Sequence, residues 1–90
     1  MHVTVISPRR SIFDGDATAV VAPAYDGEVG ILPRHAPFMA LLGAGRLLVR
    51  DAAGLEKRFR VSGGFVQVVD DVVRVVAEHA EDEPKGDSNA

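Results

Sequence analysis

Short apolar runs separated by Gly, Pro and Asp recur along the chain as far as residue 78. This spacing is typical of an all-β sandwich or barrel. The period of two is clearest at residues 55–61, where largely apolar positions alternate with charged ones, as in an antiparallel strand with one dry face. We therefore predict an all-β fold, a flattened antiparallel β-sandwich or barrel of about ten short strands. The strands are predicted at residues 2–6, 12–14, 18–22, 29–32, 38–42, 46–51, 55–62, 65–69 and 72–78.

Three of these segments, 19–22, 65–69 and 72–76, are apolar on both faces. In a two-layer sandwich only one face of a strand meets the core, so the second face needs another cover. Two arrangements supply it: a partner protein laid over one sheet, or a curled sheet that buries both faces of some strands, as in small barrels. In the first arrangement, the apolar partner face consists of Val20, Phe65, Val69, Val72 and Val76.

Residues 26–38, DGEVGILPRHAPF, combine two glycines and two prolines with charged and aromatic neighbours. Glycine permits backbone angles that other residues avoid, whereas proline fixes φ and pushes the preceding residue toward an extended conformation. We predict a stiff turn that presents Glu28, Arg34 and His35. Such a loop either serves recognition or only turns a corner between strands.

Composition and charge limit the kinds of partner that the chain can bind. The chain has 90 residues, no cysteine and a formal charge of −3, enough for one domain with a thin core that buries roughly 60 % of the unfolded surface. Residues 1–77 carry nine Lys or Arg against eight Asp or Glu, whereas residues 78–90 carry one against five. The nearly neutral body lacks the basic stripe that nucleic acid requires. We expect a β-sandwich domain at 1–79 and a flexible acidic tail at 80–90.

The candidate chemistry is sparse. The histidines at positions 2, 35 and 79 lack the spacing of metal ligands, and the serines lie outside any nucleophile elbow or phosphate-binding loop. We therefore predict no catalytic residue, no metal and no cofactor. The sequence also has neither a leader-like start nor an apolar run long enough to span a bilayer, which favours a soluble cytosolic chain.

Several sequence blocks occur together and in order: VISP at 5–8, FDG at 13–15, DGEVGILPRHAP at 26–37, GAG at 43–45, VSGGFVQV at 61–68 and VRVVAE at 73–78. In combination they resemble the N-terminal β-sandwich domain of the epsilon subunit of the F-type ATP synthase. The resemblance implies a ten-stranded sandwich at the foot of the central rotor stalk, with a mechanical and non-catalytic role in ATP synthesis coupled to proton or other ion transport.

The resemblance also implies partners and a location. The gamma subunit would grip one sheet face, with His35, Ala36 and Pro37 turned toward it. The ring of c subunits would meet the turn formed by Asp26, Gly27 and Glu28. Association with the membrane would arise only through this complex, as a peripheral protein on the cytoplasmic face of the inner or plasma membrane.

Departures from the family pattern are also visible. Members usually continue into two C-terminal helices, and the 90 residues stop where these would begin. Arg34 stands where the family often has glycine, and Asp70-Asp71 where it often has Pro-Gly. An alternative of another class is a small carrier domain of lipoyl or biotinyl type, which needs a lysine at a hairpin tip. Lys57 lies in a predicted strand and Lys85 in the predicted tail, so neither suits that role.

Overall fold

The structure is a computed structural model that describes residues 1–83. Within this range the chain is all-β, as predicted, and forms eight strands. These are β1 (His2–Ile6), β2 (Ser11–Asp16), β3 (Ala19–Ala24), β4 (Gly27–Ile31), β5 (Phe38–Leu41), β6 (Gly45–Arg50), β7 (Glu56–Val69) and β8 (Val72–Asp82). Fewer strands form than the predicted number because segments 55–62 and 65–69 belong to one long strand, β7.

The strands form one open sheet in the order β2-β1-β8-β7-β6-β3-β4, with β5 paired to β7 off this path. Residues 56–61 of β7 pair with β6, and residues 65–68 pair with β5 along the same edge. The sheet therefore folds over midway along the β7–β8 hairpin, and its two halves stack as a sandwich. One pair departs from the antiparallel prediction: β1 and β8 are parallel, which is feasible because most of the chain connects them.

The bend in β7 occurs at two glycines in left-handed conformations, Gly63 (φ 71°) and Gly64 (φ 100°). A Cβ on Gly64 would overlap the carbonyl oxygen of Val76 on the neighbouring strand, and one on Gly63 would overlap the Glu78 carboxylate. Only glycine allows β8 to approach this closely while the strand keeps pairing across the bend. The SGGF block of the sequence thus forms the corner of the sandwich.

The core is the single cluster between the two halves of the sheet, and it is made of aliphatic side chains and Phe59. Among the described residues, no polar or charged residue is buried in it. The core residues are Val3, Val5, Ala17, Val20, Ala22, Ile31, Leu42, Leu47, Val49, Phe59, Val61, Val66, Val68, Val73, Val75 and Ala77. Val20, only 1 % exposed, is thus a core residue, which corrects its assignment to the partner face.

The C-terminal end of the sandwich also lies later than predicted. The sequence places the end of the last strand at residue 78, but β8 continues to Asp82, so 80–82 are strand and not tail. The Glu83 N–H donates to the Arg58 carbonyl oxygen at 2.9 Å, and its carboxylate accepts hydrogen bonds from Arg46 and Arg60. The hydrogen bond from Arg46, and to a lesser extent the one from Arg60, lowers the pKa of the Glu83 carboxyl. The rest of the predicted tail, residues 84–90, lies outside the described range.

Candidate partner-binding surface

One outer face of the sandwich carries an apolar patch, which we call the apolar face. It is built on β5, the second half of β7, β8 and β1, and consists of Ile6, Met39, Leu41, Phe65, Val69, Val72 and Val76. Register explains why they meet: Leu41 pairs with Phe65, Phe65 with Val76, and Val76 with Ile6. Paired residues share one side of a sheet, so these four form a row across four strands.

The apolar face is accessible to a partner. Met39 is 61 % exposed, Leu41 63 %, Val69 44 % and Val72 37 %, whereas Phe65 is half-buried. Gln67 and Arg74 cross this face between the Leu41 row and the Val69–Val72 pair, so its apolar side chains form two groups. Several exposed apolar side chains on one face usually mark an interaction site. Among residues 1–83 no helix lies over this face, because that range contains none.

The predicted partner face matches this surface in four of its five residues, Phe65, Val69, Val72 and Val76, and Val20 is the exception described above. Sequence reasoning missed Ile6, Met39 and Leu41. For Met39 and Leu41 a signal was present, because every residue of Phe38–Leu41 is apolar and a strand of this kind also has two dry faces. For Ile6 no such signal exists, since only the parallel pairing of β1 with β8 brings it to Val76.

The apolar face adjoins the β3–β4 turn at one end. The residues predicted to meet the c ring are all exposed here: Asp26 in the turn itself, and Gly27 and Glu28 at the start of β4. Gly27 takes a positive φ of 133°. The neighbouring Tyr25 is 80 % exposed, and its N–H donates to the Leu41 carbonyl oxygen at 2.8 Å. The turn therefore lies beside the Leu41 row and carries an exposed aromatic ring that sequence reasoning also missed.

At the other end, the loop 32–37 crosses from β4 in one layer to β5 in the other. His35 packs on Phe38 with ring centroids 5.0 Å apart, and one of its ring nitrogens lies 2.7 Å from the Ala36 carbonyl oxygen. Pro37 precedes β5, one position beyond the pair Phe38–Val68, and so lies beside Val69. Of the predicted contact residues His35, Ala36 and Pro37, register thus places Pro37 beside the apolar face. His35 packs on Phe38, which faces the core side of β5.

The sequence suggested a single stiff turn over segment 26–38, but the structure differs. The segment comprises a hairpin turn, strand β4 and a loop. A strand of five residues is about 16 Å long, so Glu28 and His35 stand at opposite ends of β4. They cannot belong to one small contact, and any shared role must involve two separate contacts.

Within residues 1–83, no group of three His, Asp or Glu side chains could hold a metal ion. In the same range, no helix is long and apolar enough to cross a bilayer. A shallow cleft of about 650 Å³ lies between Arg9, Arg60, Glu78 and Glu81, and its charges are of both signs.

An all-β domain with an accessible apolar sheet face, bordered by an exposed turn and a loop, is typical of a subunit held by other proteins. A family model described as "ATP synthase, Delta/Epsilon chain, beta-sandwich domain" matches residues 1–83. The chain therefore belongs to the ATP synthase delta/epsilon family, as its β-sandwich domain.

Individual relatives agree with this membership. The chain is 42 % identical over 80 residues to an ATP synthase epsilon chain of Alkalilimnicola ehrlichii, covering 89 % of this chain and 57 % of that relative. It is 39 % identical over 80 residues to an epsilon chain of Caulobacter vibrioides, covering 89 % of this chain and 92 % of that shorter relative. The chain thus spans little more than half the length of several curated relatives and nearly all of another.

Two solved structures share the fold. A chain in a cryo-EM structure of the Euglena gracilis mitochondrial ATP synthase, OSCP/F1/c-ring in rotational state 1, aligns with a TM-score of 0.83 and 27 % identity. The alignment covers 89 % of this chain and 51 % of that chain. A chain of the Tetrahymena thermophila mitochondrial ATP synthase central stalk and c ring aligns with a TM-score of 0.77 and 20 % identity, covering 91 % of this chain and 66 % of that chain.

Proposed function

We propose that the chain is a non-catalytic subunit of the central stalk of an F-type ATP synthase, which joins the gamma subunit to the c ring during ATP synthesis coupled to ion transport. The observation that carries this proposal is the accessible apolar face on a domain of this family. Its relatives are named ATP synthase epsilon chains, and its structural neighbour with 27 % identity comes from an assembly with F1 and a c ring.

In this proposal the apolar face meets the gamma subunit. Exposed Met39, Leu41 and Val69 supply apolar area, and His35–Pro37 extend the same contact at the edge of the sheet. A patch that buries aliphatic side chains against a partner is stabilised roughly in proportion to the area removed from water. The contact needs no reaction chemistry.

The turn Asp26–Glu28 is assigned to the c ring. Asp26 is an exposed carboxylate at the tip of the β3–β4 hairpin, and Glu28 is exposed two residues further on, in β4 opposite Pro23. Both can meet polar loops of a membrane protein without disturbing the core. The subunit would then sit on the cytoplasmic side of the membrane, held there by the complex. The carrier alternative is not favoured, because Lys57 lies within β7 and not at a hairpin tip.

The gamma contact is tested by Leu41→Asp, which places a charge on the apolar face, at the β5 end of the row from Leu41 to Ile6. We expect the affinity for purified gamma subunit to fall at least tenfold, about 1.4 kcal/mol, in a titration followed by isothermal calorimetry. Leu55→Asp is the matched control, because Leu55 is 65 % exposed against 63 % for Leu41 but lies outside the apolar face. Equal affinities of the two variants would contradict the assignment of this face to gamma.

The c-ring contact is tested by Glu28→Lys. Retention of the chain on membranes that contain the c ring and gamma is expected to drop several-fold, whereas thermal stability stays unchanged because exposed turn charges contribute little to folding. Asp82→Lys, a charge reversal at the end of β8, serves as control and should be retained normally. If both variants were retained like the unaltered chain, the assigned role of the Asp26–Glu28 turn would be wrong.

A further inference from the structure

The non-glycine residues with positive φ among residues 1–83 are Arg34 (68°), Asp70 (51°) and Asp71 (63°). They lie in two different loops, yet they meet. The carboxylate oxygen Oδ1 of Asp71 accepts a hydrogen bond of 2.8 Å from the Arg34 N–H, which joins positions 37 residues apart in the chain. Two features that the sequence shows as separate departures from the family pattern thus form one contact.

The 32–37 loop requires a stabilising contact of this kind because it contains a turn with an unfavourable backbone conformation. The His35 N–H donates to the Leu32 carbonyl oxygen at 3.1 Å, which closes a four-residue turn with Pro33 second and Arg34 third. Proline at the second position and positive φ at the third define a type II turn, in which glycine is the usual third residue. Arginine populates this left-handed conformation poorly. A hydrogen bond that stabilises the conformation therefore favours the observed turn over other conformations of the loop.

Asp71 is suited to provide that contact because it is itself well held. It occupies the tight turn between Val69 and Val72, and its carbonyl oxygen accepts a hydrogen bond of 3.1 Å from the His2 N–H. Its second carboxylate oxygen lies 3.7 Å from the N-terminal ammonium group. Asp71 is therefore fixed to the start of β1, in the layer that carries the apolar face.

We propose that Asp71 is a positioning residue, which holds the 32–37 loop in its left-handed turn. It thereby keeps His35 against Phe38 and Pro37 beside Val69 for the gamma contact. The loop and the apolar face then present one pre-formed surface. Since a pre-ordered loop loses less entropy on binding, the carboxylate strengthens the contact without touching the partner. The inference rests on the proposed function for the identity of that partner.

Asp71→Gly tests the inference, because glycine suits the positive φ of the turn and removes only the carboxylate. Asp71→Asn is the matched rescue, since asparagine tolerates the same φ and retains an acceptor oxygen. In the full chain, we expect the Arg34 amide to exchange with solvent at least tenfold faster in Asp71→Gly, by NMR, and near the original rate in Asp71→Asn. Affinity for purified gamma should fall about fivefold in the glycine variant alone, with the melting temperature unchanged.

Unchanged Arg34 exchange in Asp71→Gly would overturn the inference whatever happens to binding. Faster exchange with unchanged gamma affinity would overturn the positioning role, because ordering of the loop would then make no contribution to binding. If the unaltered chain failed to bind gamma at all, the proposed function would fall instead. The exchange rates would still show separately whether Asp71 orders the loop.

Discussion

Gly64→Ala is expected to leave little folded protein at room temperature. A Cβ at this position would overlap the backbone carbonyl oxygen of Val76, and the φ of 100° is unfavourable for any L-residue with a side chain. Because the obstacle is backbone on the adjacent strand, relief requires the β7–β8 pairing to open. We expect a loss of about 4 kcal/mol or more in the free energy of unfolding, comparable to the whole stability of a small domain.

The measurement is urea unfolding followed by circular dichroism, with two glycine controls. Gly54 also has positive φ, 85°, but a Cβ on Gly54 would meet nothing within 4 Å, so Gly54→Ala should cost only about 1 kcal/mol. Gly30 is equally open and is not among the positive-φ glycines, and Gly30→Ala should be close to neutral. A Gly64→Ala protein as stable as Gly54→Ala would show that the two strands do not approach as described.

Leu47→Ala is expected to be the next most damaging change. Leu47 is fully buried on β6, and removing its branched end leaves a cavity between the two layers of a thin core. Substitutions of this type cost about 2–5 kcal/mol. The same unfolding experiment measures the loss.

Leu41→Ala is the matched control for this second prediction, because Leu41 is 63 % exposed on the apolar face. It should change the free energy of unfolding by less than about 0.5 kcal/mol while still weakening gamma binding. The pair separates residues that hold the fold together from residues that hold the partner. A large stability loss for Leu41→Ala would mean that the apolar face is covered within the chain itself.

The proposed role also explains why the domain is built as it is. A subunit that transmits torque between the central stalk and the c ring needs a rigid structure more than strong affinity at any one residue. The long hairpin of β7 and β8 supplies stiffness, because both strands run through the two layers and pair along ten positions. The tie between Asp71 and Arg34 would extend this order to the loop beside the apolar face.

Much of this protein can be read directly from residue order. Alternating and doubly apolar runs identify the β-strands and most of the buried valines, because successive side chains of a strand point to opposite faces of the sheet. The blocks at 26–37 and 61–68 identify the family. These features are local, so neighbouring residues suffice to specify them.

Tertiary pairing decided the rest. Whether the second apolar side of a strand faces core or water depends on which strands lie next to it, so Val20 became core whereas Val72 stayed exposed. The parallel contact of β1 with β8, the continuation of β7 through two glycines and the meeting of Arg34 with Asp71 all depend on how the sheet folds over. No local pattern encodes such contacts, because each arises only when distant segments of the chain come together.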